Sequence, residues 1–211
     1  GWVHILEKHN GLLPLEIEAV PEGTEVPTGN VLVQVINTDP KCAWLTSYIE
    51  TALLRAIWYP TTVATVSKAC KTIIQKYLTE TADDLTGLAF KLHDFGARGA
   101  SSEETVAIGG LAHLVNFMGT DNMSAIVAAR RFYNADMAGF SIPAAEHSTI
   151  TSWGRDNESK AYGNMLEQFG GKDKLVAVVS DSYDIWNAID NIWGDELKLE
   201  VQSMGGTLVV R

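Results

Sequence analysis

Cysteine is nearly missing from this chain: Cys42 and Cys70 are the two in 211 residues, and no C-x-x-C spacing occurs. That excludes a disulfide-stapled scaffold, and both read as reduced thiols. The five histidines are scattered at 4, 9, 93, 113 and 147. No His/Cys/Asp spacing therefore predicts a metal centre. Basic residues are outnumbered, with 16 Lys and Arg against 26 Asp and Glu, a net charge of −10. A field of that sign disfavours nucleic acid and anionic membranes, so a phosphate-bearing ligand must find its cations locally. No apolar run reaches membrane-spanning length and no signal-like segment stands at Gly1, which predicts a cytoplasmic protein. Neither GxxxxGK[ST] nor GxGxxG is present, so a bound nucleotide is not cradled by either loop. What remains, 46% hydrophobic and 20% charged, suits a globular domain with a sizeable core.

Residues 12–20 read as a strand, and PEGTEVPTGN at 21–30 as a turn-rich connector. VLVQVIN at 31–37 is rich in β-branched residues and predicts a second strand. A helix is expected from Asp39-Pro40, with Trp44, Leu45, Ile49, Leu53 and Ile57 at helical spacing. Pro60 interrupts that pattern, and a second helix should follow to about Tyr77. From residue 85 the rhythm changes to strand, turn, helix. Strands are expected at LAFKL (88–92), LVNF (114–117), GFSIPA (139–144), LVAVVS (175–180) and TLVV (207–210), the first four each followed by helix. Such alternation indicates parallel strands with right-handed crossovers, a barrel or a doubly wound sheet, with chemistry at the strands' carboxyl ends. Gly109-Gly110, inside a helical stretch, reads as a close-packing site.

The strand ends hold an unusually polar set: His93, Asp94, Phe95, Arg98, Asp121, Ser141, Glu146, His147, Asp181, Ser182 and Arg211. Each has an ordinary structural reading. Arg98 could pair with Asp94 or Glu103, and Phe95 could plug the core. Asp121 could cap the helix that begins near Asn122. His147 could be a hydrogen-bonded structural histidine. Against these, two arginines at strand ends suit phosphate oxygens, which a guanidinium engages bidentately.

Three segments, HDFGARGASSEE at 93–104, NFMGTD at 116–121 and SIPAAEHSTITSWG at 141–154, resemble the nicotinamide phosphoribosyltransferase family. Its members join nicotinamide to phosphoribosyl pyrophosphate, giving nicotinamide mononucleotide and pyrophosphate in NAD salvage. The resemblance covers essentially the whole chain, which looks like the middle part of the family's protein. The Pro-Asp-Ser-Gly segment expected after Arg211, the later glycine-rich phosphate loops and the N-terminal segment are outside it, so residues 1–211 alone are expected to be inactive. The resemblance implies an α/β fold: part of an irregular parallel α/β barrel at 85–211, of type II phosphoribosyltransferase kind, preceded by a small α+β region at 1–84.

It also implies roles. Phe95 stacks on the pyridine ring opposite a tyrosine of the neighbouring subunit. Asp121 accepts from the carboxamide and repels nicotinic acid. Arg98 and Arg211 hold phosphates. His93 lines the ligand path, and Ser141 and Ala144 shape it. Asp181, with Ser182, meets the ribose hydroxyls. His147 is phosphorylated by ATP, oriented by Asp181 or Glu146. Mg²⁺ accompanies pyrophosphate, ATP is a coupling substrate, and the protein is a homodimer with its active site at the subunit interface. Ala97 departs from the aromatic of animal members, which widens the rim beside Arg98. The alternatives are a nicotinate phosphoribosyltransferase, or a non-catalytic nucleotide-binding fragment.

Overall fold

Leu15–Ala19 (β1) and Val33–Asn37 (β2) pair antiparallel, Leu15 facing Asn37 and Ala19 facing Val33. This hairpin follows helix α1 (Trp2–His9), which ends where Asn10 turns left-handed at φ 53°. A computed structural model describes residues 1–211 in two units, Gly1–Phe140 and Ser141–Arg211. After β2, Asp39 caps a 3₁₀ turn (Pro40–Cys42) by accepting from the Lys41 N–H at 2.9 Å. Its carboxyl is held far below its ordinary pKa by hydrogen bonds from His9 and His4 and from that backbone N–H.

The expected pair of helices is a single helix, α2 (Leu45–Thr81), with Pro60 inside it. Proline removes one backbone bond and costs about 3 kcal/mol in a helix interior. Contacts beyond it hold the chain helical. Asn116 Nδ2 donates to the Ala64 carbonyl at 3.0 Å, and Lys71 Nζ to the Asn116 carbonyl at 2.6 Å. No helix is long and apolar enough to cross a membrane.

LAFKL is not a strand. Asp84 Oδ1 accepts from the Thr86 N–H at 2.9 Å, and the chain winds into a 3₁₀ turn at Leu88–Phe90. This local turn chemistry outweighs the apolar run. Strand β3 is only His93–Asp94. It pairs in parallel with β4 (Gly119–Thr120), two residues beyond the expected LVNF, and Phe140 bridges Gly119. Between them lies α3 (Glu103–Leu114), capped by Ser102 with two glutamates in its first turn. Helix α4 (Met123–Tyr133) is capped by Asn122.

Helices α3 and α4 meet through small residues. A side-chain carbon at Gly110 would strike Asn122 Nδ2 and lie 2.5 Å from the Ala125 methyl. Gly110→Ala is therefore expected to destabilise by about 1–3 kcal/mol through overpacking, although alanine is the better helix former. Chemical denaturation checks this; a gain in stability would show that the two helices separate freely.

The second unit is built on β5 (Leu175–Val178) and β6 (Thr207–Val210), parallel, with Leu175 beside Thr207 and Val178 beside Val210. The ladder runs on, since Arg211 N–H donates to the Val178 carbonyl at 3.0 Å and Ser180 N–H to the Arg211 carbonyl at 2.6 Å. Ala144 bridges Ala177 in parallel. Around this sheet lie α5 (His147–Thr151), α6 (Glu158–Phe169), the short α7 (Ile185–Asn187), a π-helical stretch (Ala188–Glu196) and α8 (Lys198–Met204). The fold is mixed α/β with small parallel sheets.

The core of this unit joins Val176, Val178 and Val179 to Ile150, Tyr162, Met165, Ile192 and Trp193. Tyr162 and Trp193 stack at 4.7 Å, and the Tyr162 hydroxyl donates to Glu158 Oε1 at 2.8 Å. Burial, then this hydrogen bond, push the phenol well above its ordinary pKa. The fold thus favours the neutral phenol. Its contribution is complete below the unfolded value of about 10 and is lost as pH rises through the raised folded value. Tyr162→Phe strands the buried Glu158 carboxyl and is expected to cost about 1–3 kcal/mol at neutral pH. In denaturation curves taken above pH of about 10, the gap to the parent should narrow. A constant gap would mean that the phenol does not titrate with unfolding.

Candidate active site

In the first unit, β3 and β4 carry the polar set at their ends. Each two-residue strand delivers one aspartate to its carboxyl end region, but the two are used differently. Asp94 Oδ1 accepts from the Gly96 N–H at 2.7 Å, and its Oδ2 from Asn122 Nδ2 at 3.2 Å. Asp94 is thereby a structural clamp for the turn. Asp121 does not cap α4; Asn122 does, its side chain accepting from the Ala125 N–H at 3.1 Å. Asn122 also donates to the Val106 carbonyl at 2.9 Å, so the cap is locked from both sides.

Released from capping, the Asp121 carboxylate meets His93 Nε2 at 3.0 Å. Both are solvent-accessible, with side chains 40% and 25% exposed. Gly119 permits this arrangement, because a side-chain carbon there would lie 2.8 Å from His93 Nδ1. The Phe95 ring lies 4.7 Å from the His93 ring at 32° and is 46% exposed, so it is no core plug. The outward Phe90 is not core either; it packs edge-on to Phe140 at 6.2 Å.

Arg98 stands exposed in the 3₁₀ turn Gly96–Gly99. The acids offered as its structural partners are engaged elsewhere. Asp94 is held as above, and Glu103 Oε1 accepts from Ser124 Oγ at 2.6 Å.

In the second unit, His147 opens α5 and Asp181 follows β5. His147 Nε2 lies 2.8 Å from Asp181 Oδ1, with both side chains more than half exposed. Glu146 turns instead toward Arg211, whose guanidinium lies 3.6 Å from Glu146 Oε1 and donates to the Ala145 carbonyl at 3.1 Å. Ser182 Oγ is buried without a hydrogen-bond partner. Ser141 Oγ donates weakly to the Ile142 carbonyl at 3.4 Å. Ala144 is fixed beside β5 by the Ala145 N–H to Ala177 carbonyl bond at 2.9 Å.

The structure therefore brings the predicted residues together in two sets. His93, Phe95, Arg98 and Asp121 gather at β3 and β4. Ser141, Ala144, His147, Asp181 and Arg211 gather around β5 and β6. Each set contains one imidazole on one carboxylate, which fixes a tautomer and orients a ring. A pair of this kind can hold or move a proton at a stated atom, or offer a nucleophilic nitrogen.

Sequence reasoning missed the supports. Trp193 Nε1 donates to Ser180 Oγ at 3.0 Å, and Ser180 Oγ donates to the Val178 carbonyl at 3.0 Å, which pins the residue before Asp181. The π-helical turn that carries Trp193 has no sequence signature. Asn122 was legible only as a residue near a helix start. Of the histidines, His113 takes the structural role, its Nε2 bonding the Gly119 carbonyl at 2.8 Å.

The chain is 57% identical over its whole length to a Xanthomonas campestris pv. campestris protein named nicotinamide phosphoribosyltransferase, and covers 45% of it. It is 35% identical to a protein of that name from Acinetobacter baylyi, over 88% of this chain and 37% of the relative. A third, from Mycoplasma genitalium, is 36% identical over 98% of this chain and 43% of its own. The chain thus spans less than half the length of these curated relatives. Residues 90–210, which include both strand-end sets except Arg211, match the family described as nicotinate phosphoribosyltransferase (NAPRTase). With more than half of its residues inside that match, the chain belongs to the nicotinate phosphoribosyltransferase family.

Proposed function

We propose that the intact protein is a nicotinamide phosphoribosyltransferase, a pentosyltransferase that condenses nicotinamide with phosphoribosyl pyrophosphate to give nicotinamide mononucleotide and pyrophosphate. The 57% identity to a relative of that name supports the reaction. One observation carries the choice of base: Asn122 takes over the helix cap, which leaves Asp121 an accessible carboxylate held by His93. A carboxylate can accept a carboxamide N–H and repels the carboxylate of nicotinic acid, so it selects by attraction and repulsion together.

Phe95, tilted against His93, is exposed enough to stack on a pyridine ring. Arg98 and Arg211 are assigned to the phosphates. Asp181 is assigned to the ribose, and Ser141 and Ala144 to the wall of the nicotinamide path; the Ser182 hydroxyl, being buried, is left out. Displacement of pyrophosphate at C1 of ribose passes through an oxocarbenium-like state. The protein's work is then to hold the pyridine nitrogen near C1 and to balance charge on the departing group.

His147 is assigned to coupling with ATP. Its Nε2 faces Asp181, so the ring proton sits on Nε2 and the lone pair on Nδ1; Nδ1 is then the nitrogen that attacks the terminal phosphorus of ATP as the bond to the β–γ bridging oxygen breaks and ADP leaves. Mg²⁺ is taken to accompany pyrophosphate as part of the substrate. Catalysis is assigned to 85–211, with 1–84 as a supporting α+β region. Apolar side chains exposed along α2, among them Tyr48, Trp58, Ile73 and Tyr77, support a homodimer.

The test is an assay of the intact protein with phosphoribosyl pyrophosphate and either nicotinamide or nicotinic acid. Faster formation of nicotinamide mononucleotide is expected. Faster formation of nicotinate mononucleotide would favour the sister activity, and no product with either base would defeat the proposal. Arg211→Ala is expected to weaken phosphoribosyl pyrophosphate binding by about 10–100-fold, the worth of a charge-assisted contact. Nicotinamide binding should change far less. Equal losses in calorimetry would remove Arg211 from the phosphate role.

A further inference from the structure

Outside the strand-end sets, one grouping of side chains has the chemistry of a metal site. Ligand atoms of His4, Asp39 and Cys42 all lie within 4.8 Å of one another. His9 joins them. His4 Nε2 and His9 Nε2 stand 2.7 and 2.8 Å from the same atom, Asp39 Oδ2. The two rings approach edge to face at 5.7 Å. Two imidazole nitrogens are thus aimed at one point beside a carboxylate and a thiol.

The surrounding hydrogen bonds set the donors in place. Asp39 caps the 3₁₀ turn that Cys42 ends, which keeps the two side chains close. Asp39 Oδ1 is committed to the Lys41 N–H, which leaves Oδ2 turned to the histidines. Asn37 braces both ends of the turn: its Oδ1 accepts from the Asp39 N–H at 3.1 Å, and its Nδ2 donates to the Cys42 carbonyl at 2.8 Å. Helix α1, carrying both histidines, is seated by Ile5, which packs with Cys42 and Leu45.

We propose that His4, His9, Asp39 and Cys42 bind one zinc ion that fastens α1 to the turn leading into α2. Ligands at about 2.0–2.3 Å in a tetrahedron stand about 3.3–3.6 Å apart. The short N–O contacts would open by about 1 Å or less, and the Cys42 thiol and the His9 ring would close on the ion. Two imidazoles, a carboxylate and a thiolate form a borderline-soft set that suits zinc and rejects magnesium or calcium. Cys42 is fully buried and the Asp39 side chain 15% exposed, while the two histidines close the set from its partly exposed side. A closed four-ligand set of this kind is structural, with no open position for a substrate.

Cobalt(II) is the probe, because it takes the same geometry and is coloured. The intact protein is stripped with a chelator and titrated with cobalt. The expected result is binding of a single equivalent, with visible bands of tetrahedral cobalt and a near-ultraviolet thiolate charge-transfer band. Cys42→Ser should lose the charge-transfer band. His4→Gln, at a partly exposed position that leaves the core untouched, should weaken binding by at least about tenfold. Zinc should displace the cobalt and raise the melting temperature of the parent but not of His4→Gln. No bound cobalt, six-coordinate spectra only, or the same bands in both variants would overturn the proposal and leave the cluster as a hydrogen-bonded staple.

Discussion

In the intact protein, on the proposed function, Asp121→Ser is expected to reduce the preference for nicotinamide over nicotinic acid by about a thousandfold, the sum of a lost charge-assisted hydrogen bond and a removed like-charge repulsion. Asn122 caps α4, so removing the Asp121 carboxylate should leave that helix standing. The two halves of the effect separate in kinetics. Loss of the amide contact lowers kcat/KM for nicotinamide. Loss of the repulsion raises it for nicotinic acid. His93 sharpens the second half, since its Nε2 would then face the acid's carboxylate rather than a resident aspartate. If the serine variant discriminates as strongly as the parent, Asp121 does not read the base.

His147→Ala is expected to abolish coupling, so that mononucleotide forms at the same rate with and without ATP. The uncoupled reaction should persist, because the residues assigned to pyridine and phosphate are unchanged. Asp181→Asn provides the graded control. An amide can offer its N–H₂ to Nε2 and so favour the tautomer with the proton on Nδ1, which occupies the attacking nitrogen. Phosphate incorporation from labelled ATP should therefore fall sharply in Asp181→Asn and vanish in His147→Ala. Label retained at the parental level in His147→Ala would place the phosphoryl group elsewhere.

Much of the second unit was legible, because LVAVVS and TLVV are β-branched runs long enough to pair and bury. The strands of the first unit were not. LAFKL has the composition of a strand, yet Asp84, Thr86 and Gly87 wind it into a turn, and the parallel pairing shrinks to two residues. Pro60 marks a break in sequence, but the anchors from Asn116 and Lys71 are long-range and leave no local pattern.

The candidate residues were legible by type and position, since polar side chains crowd after each apolar segment. Their partners were not. Whether Asp121 caps or meets His93, and whether Asp181 or Glu146 faces His147, depends on side-chain directions between segments 28 and 34 residues apart. The same reason hides His4, His9, Asp39 and Cys42 from any spacing rule.

The most direct measurement is hydrogen exchange of the intact protein with and without nicotinamide mononucleotide. Slower exchange is expected at 93–98, 119–122, 144–147 and 179–182, the backbone beside the assigned side chains. Protection confined to other segments, with these exchanging unchanged, would contradict their assignment to the phosphoribosyltransferase site.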